Sequence, residues 1–433
     1  MAEILWNERS AAHLYRRAAF GGRPDDIARS VNEGLDATVD RLLDYENTPN
    51  DDLDDRLALL NPDLATPIGI VTWWMTRMVH SSRQLEERMT FFLHDHFATS
   101  LNKVPRADLM LDQNELLRRF AAGNFTELTI EISKDPAMLL WLDNYTNVKD
   151  NPNENYAREL LELFTLGHGH YSEDDVLESA RAFTGWSLSR GDLGFLFRPL
   201  AHDFGAKTVL GRTGNWDGGD VVGFACSEMA HGHLIARKLF EYLVYENPDE
   251  DVIESLAMVY LDSGTELRPL IEAILKSPEM YSERAVWKRV KSPVEHAVMA
   301  VRQLGVDVDV ARILVGALDQ QAQIPFIPPD VNGWPSGMTW INSTTLLSRM
   351  NLAYQLTRFT TTTDFAAADF SSPESMVDFF LGVLGPLEVT SETRSELIKW
   401  LSPDGAVPTG AAGDVRLRSL IQMTLSLPEW QMN

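Results

Sequence analysis

Residues 68–97 read IGIVTWWMTRMVHSSRQLEERMTFFLHDHF and carry the strongest helical pattern of the chain. In the second half of this stretch, Leu85, Met89, Phe92 and His96 recur at intervals of four, three and four residues, which places them on one face of a helix. The apolar run is interrupted near residues 81 and 82, which are both serines. The stretch therefore predicts long helical structure with a break near that point.

Helical periodicity also dominates the rest of the chain, whereas the alternation typical of strands is scarce. We therefore expect a mostly α-helical protein with one large multi-helix domain. Residues 187–219 are rich in glycine and aromatic residues, and they are the one place where the sequence predicts a small irregular or β excursion. The main domain is predicted to span residues 1–360. Residues 361–433 are predicted to form a C-terminal helical extension packed on it, after a linker at 365–371.

Two segments near the N-terminus have patterns of their own. Residues 25–44 carry apolar side chains at helical spacing throughout, which predicts one continuous helix. Residues 46–63 are acidic and contain several asparagines and prolines, which favours an exposed excursion.

The bulk composition limits the classes of partner. Of the 433 residues 44% are hydrophobic, which suffices for a substantial core, and the formal net charge of −25 opposes binding to nucleic acid or anionic lipid. The single cysteine, Cys226, excludes an intramolecular disulfide and any metal site built from several cysteines. No apolar run reaches membrane-spanning length and no secretory signal is visible, so the sequence predicts a cytoplasmic protein without membrane insertion.

His94 and His96 end the helical stretch quoted above. Residues two apart on a helix point about 200° apart, so a regular helix prevents these two from binding one metal ion. One interpretation makes either histidine a metal ligand or an acid–base group. The other makes His96 a hydrogen-bonded core residue and His94 a helix-end residue that complements the helix dipole.

Residues 143–166 read DNYTNVKDNPNENYARELLELFTL. Asn151 precedes Pro152, and Glu154 follows three residues after Asn151. This spacing is typical of a capping box, so Asn151 is predicted to be an N-cap and Glu154 to have a structural role.

Further along the same segment, Asn155, Glu159 and Glu162 share one helical face. An amide and two carboxylates in a row can coordinate a cation or support acid–base chemistry. Arg158 can pair with Glu154 or Glu162, or orient a carboxylate in a site. The alternative is an exposed face with local salt bridges.

Residues 201–211 read AHDFGAKTVLG and place His202, Asp203 and Lys207 in a glycine-flanked loop, where functional groups are common. Two further His-x-His pairs are interpreted as loops at helix ends; they are His168 with His170 and His231 with His233. The turn-rich residues 327–340 include Asn332, Trp334 and Trp340, which either line a cleft or cover a core.

The sequence lacks GxxxxGK[ST], a GxGxxG after a strand, HExxH and GxSxG. The commonest nucleotide-binding, dinucleotide-binding and serine-hydrolase assignments therefore have no support.

Several long motifs occur together and in order. They are HLYRRAAFGGRPDDI (13–27), ERMTFFLHDHFATS (87–100), LLRRFAAGNF (116–125), PNENYARELLELFTLG (152–167), ARAFTGW (180–186), HDFGAKTVLG (202–211), VKSPVE (290–295) and PPDVNGWPSGMTWIN (328–342). Over residues 13–350 the chain resembles the large bacterial family catalogued as domain of unknown function 1800. The resemblance implies a single mostly helical domain. Members of that family are often secreted and are often encoded beside a partner family resembling sulfatases and alkaline phosphatases. This sequence, in contrast, predicts a cytoplasmic protein.

Two hypotheses for function remain open. The first is a metal-dependent enzyme, with hydrolysis slightly favoured, whose helical cleft binds Zn, Mn, Fe or Cu through mixed imidazole and carboxylate ligands. Its candidate ligands are His94, His96, Glu159, Glu162, His202 and Asp203; its catalytic candidates are His94, Glu159, Arg158 and His202; Asn155, Lys207 and Trp334 would lie in the same cleft. The second is a non-catalytic binding or scaffold protein in which the polar motifs form a buried structural network.

Overall fold

The structure, a computed structural model, describes residues 4–306, 311–359 and 370–433. Helices dominate these ranges, as predicted. The α-helices are α1 (Glu8–Ala18), α2 (Pro24–Glu33), α3 (Leu35–Leu43), α4 (Asp51–Leu60), α5 (Pro67–His80), α6 (Gln84–His96), α7 (Ala107–Arg119), α8 (Phe125–Lys134), α9 (Pro136–Trp141), α10 (Asn155–Glu159), α11 (Glu173–Ala182), α12 (Gly218–Cys226), α13 (Met229–Leu243), α14 (Glu250–Asp262), α15 (Leu267–Leu275), α16 (Pro293–Leu304), α17 (Ala311–Gln320), α18 (Ser343–Thr357), α19 (Pro373–Val383), α20 (Ser391–Leu401) and α21 (Gly410–Ser426).

The excursion predicted at 187–219 forms two small antiparallel hairpins. Strand β1 (Trp186–Leu188) pairs with β2 (Phe195–Phe197), and β3 (Lys207–Val209) pairs with β4 (Arg212–Gly214). These are the strands of the described ranges, so the fold class predicted from the periodicity is confirmed.

The break predicted near residues 81 and 82 separates α5 from α6. Helix α6 lies between two large hydrophobic clusters. Its residues Leu85, Met89 and Phe92 belong to the first cluster, together with side chains of α7, α8 and α13, while Phe91 belongs to the second, with side chains of α5 and α16. The two faces of α6 therefore join the two halves of the core, and buried polar groups on this helix must find partners within the protein.

One local prediction near the N-terminus is wrong, and another, of an exposed excursion, is right about exposure but missed a helix. The helix predicted over 25–44 is broken at Gly34, whose φ of +89° lies in a region that favours glycine, so α2 ends and α3 begins there. The excursion predicted over 46–63 contains α4, which begins after Asn50 and has three aspartates in its first turn, where negative charge is favourable.

The predicted capping box at Asn151 is also wrong. Asn151 pairs with Val148 in an isolated antiparallel bridge, and the helix begins only at Asn155. The side chain that receives the Asn155 amide hydrogen bond is Asn153, at 3.0 Å. The Asn-Pro spacing at 151–152 thus belongs to a turn before the helix.

The C-terminal helices share the second hydrophobic cluster with the rest of the chain. Leu417, Leu420 and Ile421 of α21 pack in the same cluster as Leu352 and Leu356 of α18. The predicted domain boundary at 360/361 and residues 365–369 of the predicted linker lie outside the described residues. None of the helices in the described ranges is both long and apolar enough to cross a lipid bilayer.

Candidate functional site

The chain after α10 continues as a π-helical turn, Leu160–Thr165, in which the Leu166 amide donates to the Leu161 carbonyl five residues back at 2.9 Å. A helix end leaves its last carbonyls without partners in the helix. Here three consecutive carbonyls, those of Leu163, Phe164 and Thr165, accept hydrogen bonds from side chains of other helices. Isolated π-helical turns are rare and frequent at functional sites.

The donors come from α6 and α13. Lys238 Nζ donates to the Leu163 carbonyl at 3.1 Å, His96 Nε2 to the Phe164 carbonyl at 3.1 Å, and His231 Nδ1 to the Thr165 carbonyl at 3.0 Å. Since a carbonyl oxygen only accepts, the proton of His96 is on Nε2. His96 Nδ1 is therefore free to accept from Lys238 Nζ, which lies 3.3 Å away.

Asp95 lies between the two histidines on α6, and its carboxylate is held by a loop. The Trp334 amide donates to Asp95 Oδ1 at 2.8 Å. The preceding residue, Gly333, has φ +81°, and a Cβ added there would lie 2.3 Å from Asp95 Oδ1. Glycine is therefore required for the loop to approach this carboxylate so closely.

Asp95, His96 and Lys238 line a cleft of about 260 Å³ where the two hydrophobic clusters meet. Its walls are largely aromatic, and its other polar residues include three charged ones, Glu241, Glu246 and Arg289. The remaining lining residues are Phe91, Phe92, Glu241, Tyr242, Glu246, Arg289, Val290, Ser292, Gln323, Asn332, Trp334, Pro335, Ser336, Gly337 and Trp340. An apolar cleft with a few convergent polar groups is the usual form of a small-molecule site.

The ionisable groups of this cleft have shifted pKa values. Burial raises the pKa of Asp95 to about 6, against the opposing effects of the Trp334 amide and Lys238. Burial lowers the pKa of Lys238 to about 8, against the charge of Asp95. Within the described contacts no ion pair or hydrogen bond joins the two side chains directly. The charges of Asp95 and Lys238 therefore influence each other's pKa, but the two side chains do not form an ion pair.

Glu87 and Arg88, in the N-terminal half of α6, are placed quite differently. Glu87 is fully buried and accepts from Arg77 Nε at 2.8 Å, Arg118 Nε and Nη2 at 3.0 Å each, and Trp74 Nε1 at 3.1 Å. Arg88 is equally buried and pairs with Glu295. These are compensated buried charges, with no direct opening to the cleft.

His94, the first predicted catalytic residue and metal ligand, lies in an aromatic enclosure. Its Nε2 accepts the Phe326 amide hydrogen bond at 3.1 Å, and its ring contacts Trp74, Phe326 and Trp334 with centroids 5.1–5.6 Å away. Burial lowers its pKa to about 3. His94 and His96 thus contact different partners, as the helix geometry predicted.

The predicted carboxylate row makes local contacts. Glu162 accepts from the Tyr171 hydroxyl at 2.6 Å and lies 3.3 Å from His168, while burial raises the pKa of the half-buried Glu159. Arg158 pairs with Glu173 at 2.8 Å and with Glu154 at 3.2 Å. Asn155 is exposed and donates through Nδ2 to the Leu142 carbonyl at 3.1 Å.

The predicted loop at 201–211 has its own set of contacts. His202 is buried and donates from Nδ1 to the Thr184 carbonyl at 2.7 Å, and Asp203 pairs with Arg181 at 2.7 Å. Lys207 is buried and donates to the Gly205 carbonyl at 3.1 Å, and burial lowers its pKa.

Among the predicted catalytic residues, ligands and cleft residues, only His96 and Trp334 line the cleft. Asn332 and Trp340, of the turn-rich segment 327–340, line it as well. In the ranges that the structure describes, no three His, Cys, Asp or Glu side chains are grouped so that they could hold a metal ion. The binding of a metal, with the ligand set proposed from the sequence, therefore stays a prediction.

The main cleft residues missed from the sequence are Asp95, Lys238, Glu241, Tyr242 and Arg289. Glu241 and Tyr242 follow Lys238 by three and four residues, which places all three on one face of α13. This spacing was a usable signal. The interpretation of His231 and His233 as loop residues is wrong because both lie inside α13, with His231 bonded to Thr165 and the Tyr260 hydroxyl.

The fold and the cleft together describe an α-helical protein in which two ionisable groups with shifted pKa values line one aromatic-walled cleft. Comparison with family models identifies the particular family: the chain belongs to DUF1800, described as a protein of unknown function, whose model matches residues 13–432. The match covers essentially the whole chain, beyond the 13–350 recognised from the motifs. No curated protein and no solved structure gives a significant match.

Proposed function

We propose that the cleft is the active site of a hydrolase in which Asp95 and Lys238 are the acid–base groups. The observation that carries the proposal is that these two groups line one cleft, unpaired, with pKa values shifted towards each other. Pairs of ionisable groups whose environments are tuned in this way mark acid and base assignments in enzymes.

The roles follow from the protonation states near pH 7. With a pKa of about 6, Asp95 is mostly a carboxylate and can take a proton from a water molecule, whose oxygen then attacks a polarised carbonyl carbon. With a pKa of about 8, Lys238 is mostly an ammonium. It can stabilise the negative charge that develops on the carbonyl oxygen and then supply a proton to the leaving group.

The hydrogen bonds of Lys238 suit this role. Two of its three N–H groups are directed to the Leu163 carbonyl and to His96 Nδ1, which fixes the ammonium at the cleft and leaves one donor. The Leu163 carbonyl is at a helix C-terminus, where the helix dipole favours a cation. The π-helical turn and His96 would thus position Lys238.

The aromatic walls indicate the kind of substrate. Phe91 stacks on Trp334 with ring centroids 5.9 Å apart, and Trp340 and Tyr242 line the same cleft. Such walls favour a flat or apolar group next to the bond that is cleaved. Glu241 and Glu246 add negative charge, and Arg289 in the same lining is already paired with Glu295. The cleft therefore disfavours a strongly anionic substrate.

The test is hydrolysis of a panel of p-nitrophenyl esters by the wild-type chain, Asp95→Asn and Lys238→Met, followed over pH. Asp262→Asn and Lys149→Met, which change exposed residues outside the cleft, are the matched controls. We expect the wild-type rate to rise with an apparent pKa near 6 and to fall near 8, and both cleft variants to lose activity. Equal rates for cleft and control variants would refute the assignment.

The metal prediction is tested separately. Elemental analysis of chain purified without chelator or a histidine tag measures bound Zn, Mn, Fe and Cu directly. A stoichiometric metal that is lost in Glu159→Ala or Glu162→Ala would support the ligand set proposed from the sequence.

A binding or scaffold role is the second candidate, and the buried ion pairs of α6 favour it. Glu87 and Arg88 belong to the same motif as Asp95, yet their contacts are structural. If the cleft serves the same purpose, removing Asp95 or Lys238 will change stability only, and no ester of the panel will be cleaved above the background rate.

A further inference from the structure

A second cleft, of about 510 Å³, lies at the N-terminal end of α6, whereas the proposed active site is lined by its C-terminal half. It is formed by α1, α2 and α3, by the 80–84 junction between α5 and α6, and by α16. Its lining is mostly polar and includes Thr48, Ser81, Ser82 and Gln84. None of the residues that line the first cleft lines this one.

The charge of this basic cleft is opposite to that of the chain. The protein has 63 acidic and 38 basic side chains, but the charged residues lining the cleft are five arginines and two aspartates, with His80 beside them. The arginines are Arg23, Arg29, Arg41, Arg83 and Arg302, and the aspartates are Asp25 and Asp26. Clustered cations in an otherwise acidic surface attract anions locally.

Few of these charges are neutralised within the cleft. Arg41 pairs with Glu33, its Nε lying 2.9 Å from Oε1, and Arg83 Nε donates to the Thr48 carbonyl at 2.8 Å. Of the two aspartates, Asp26 already accepts a hydrogen bond from the Arg23 backbone amide at 3.3 Å, as part of the α2 capping box. A net positive charge therefore faces the open volume.

Arg302 is the deepest of the five. It is 7% exposed, its Nη1 donates to the Val79 carbonyl, and its buried Nε has no acceptor in the protein. Burial, together with the charge of the neighbouring Arg23, lowers the pKa of Arg302 to about 9. A buried guanidinium with an unused donor is unfavourable unless an acceptor completes it.

We propose that this cleft binds a small ligand through a phosphate group. Guanidinium groups from several directions match the several oxygens and the double charge of a phosphate better than they match a single carboxylate. The hydroxyls of Ser82 and Thr48 lie in the same lining and provide neutral donors. The site is independent of the hydrolase proposal, since it shares no lining residue with that cleft.

The experiment is isothermal titration of the full chain with inorganic phosphate, glycerol 3-phosphate and malonate at low ionic strength. We expect saturable binding of a phosphate probe, with malonate at least about tenfold weaker. Tighter binding of inorganic phosphate would identify free phosphate as the ligand, and tighter binding of glycerol 3-phosphate would identify a phosphate ester. Malonate binding as tightly as both, or no saturation by either phosphate up to about 10 mM, would overturn the proposal.

Variants at exposed positions test the site without threatening the fold. Arg29→Gln removes an exposed cation of the lining and should weaken phosphate binding about tenfold. Asp25→Asn removes a negative charge from the lining and should tighten phosphate binding. Arg190→Gln, at an exposed arginine outside the cleft, should change the affinity for phosphate less than about twofold. Thermal unfolding of each variant verifies the fold. Equal weakening by Arg29→Gln and Arg190→Gln would show a general charge effect and overturn the site.

Discussion

Two carboxylates of helix α6, Glu87 in its N-terminal half and Asp95 near its C-terminal end, differ in whether an arginine pairs with them. In the N-terminal half, burial alone would raise the pKa of Glu87, yet Arg118 and Arg77 hold it below its usual value. In the C-terminal half, burial dominates: the pKa of Asp95 rises to about 6 and that of His94 falls to about 3. Paired charges keep their charge and support the fold, whereas unpaired ones approach neutrality and become available for proton transfer.

The largest expected effect is on activity. Asp95→Asn keeps an oxygen that can accept the Trp334 hydrogen bond but cannot take a proton, so we expect the rate of ester hydrolysis to fall about 100- to 10,000-fold. Steady-state kinetics measures the loss, with Asp262→Asn as the control. A change confined to KM would mean that Asp95 binds the substrate without acting as the base.

The second effect concerns Glu87, the paired carboxylate of α6. Glu87→Gln removes the buried carboxylate shared by Arg77 and Arg118 and leaves Arg118 only its pair with the half-exposed Glu115. We therefore expect the free energy of unfolding to fall by about 3–5 kcal/mol. Urea unfolding provides the measurement. The matched control is Glu131→Gln, which breaks a largely exposed pair with Lys134 and should cost less than about 1 kcal/mol. Equal losses in the two variants would contradict the comparison.

The third effect is on the pH dependence of stability. The folded-state pKa of Asp95, about 6, is above its unfolded value of 3.8, so the folded state binds the extra proton between these values. The contribution of Asp95 to stability is therefore fully present below about pH 4 and is lost as the pH rises through 6. Asp95→Asn should be more stable than the wild type above pH 6, by about 1–3 kcal/mol, and should approach it below pH 4. Urea unfolding at pH 4 and pH 7 tests both the sign and the size.

The smallest effect is expected at Arg158, which the sequence placed in the site. Its pairs with Glu173 and Glu154 are on the surface, so Arg158→Gln should change the free energy of unfolding by less than about 1 kcal/mol. Ester hydrolysis should be unaffected. A large loss of activity in this variant would instead favour a site at the carboxylate row of Glu159 and Glu162.

The sequence predicted α5, α6, the break between them and the hairpin region correctly because burial on one face imposes a period that can be counted. It also separated His94 from His96, since that separation depends only on helix geometry. Lys238 was not predicted because it shares a cleft with Asp95 only through the packing of α13 against the π-helical turn. The spacing along α13 shows which residues share a face with Lys238, but it does not show that this face packs near Asp95.

The histidines show why the candidate site was harder to predict than the fold. Each of His94, His96 and His202 was a reasonable ligand by chemical type, but each uses a ring nitrogen in a hydrogen bond to the main chain. Whether a buried imidazole is a structural partner or a ligand depends on which backbone groups near it lack partners. Asp95 was overlooked because the two histidines around it are the more familiar metal ligands.

The π-helical turn at Leu160–Thr165 makes this part of the chain sensitive to the insertion or deletion of a single residue. Such a turn holds one residue more than the α-helical turn it replaces, and its last three carbonyls point to Lys238, His96 and His231. Deleting one residue here would restore regular helical bonding and shorten the run of free carbonyls, so Lys238, His96 and His231 would no longer each have an acceptor. The shortened chain would have a more regular helix, but Lys238 would lose the carbonyl that positions its ammonium group. Insertions and deletions in this short interval are therefore expected to be as harmful as substitutions of the side chains in the cleft.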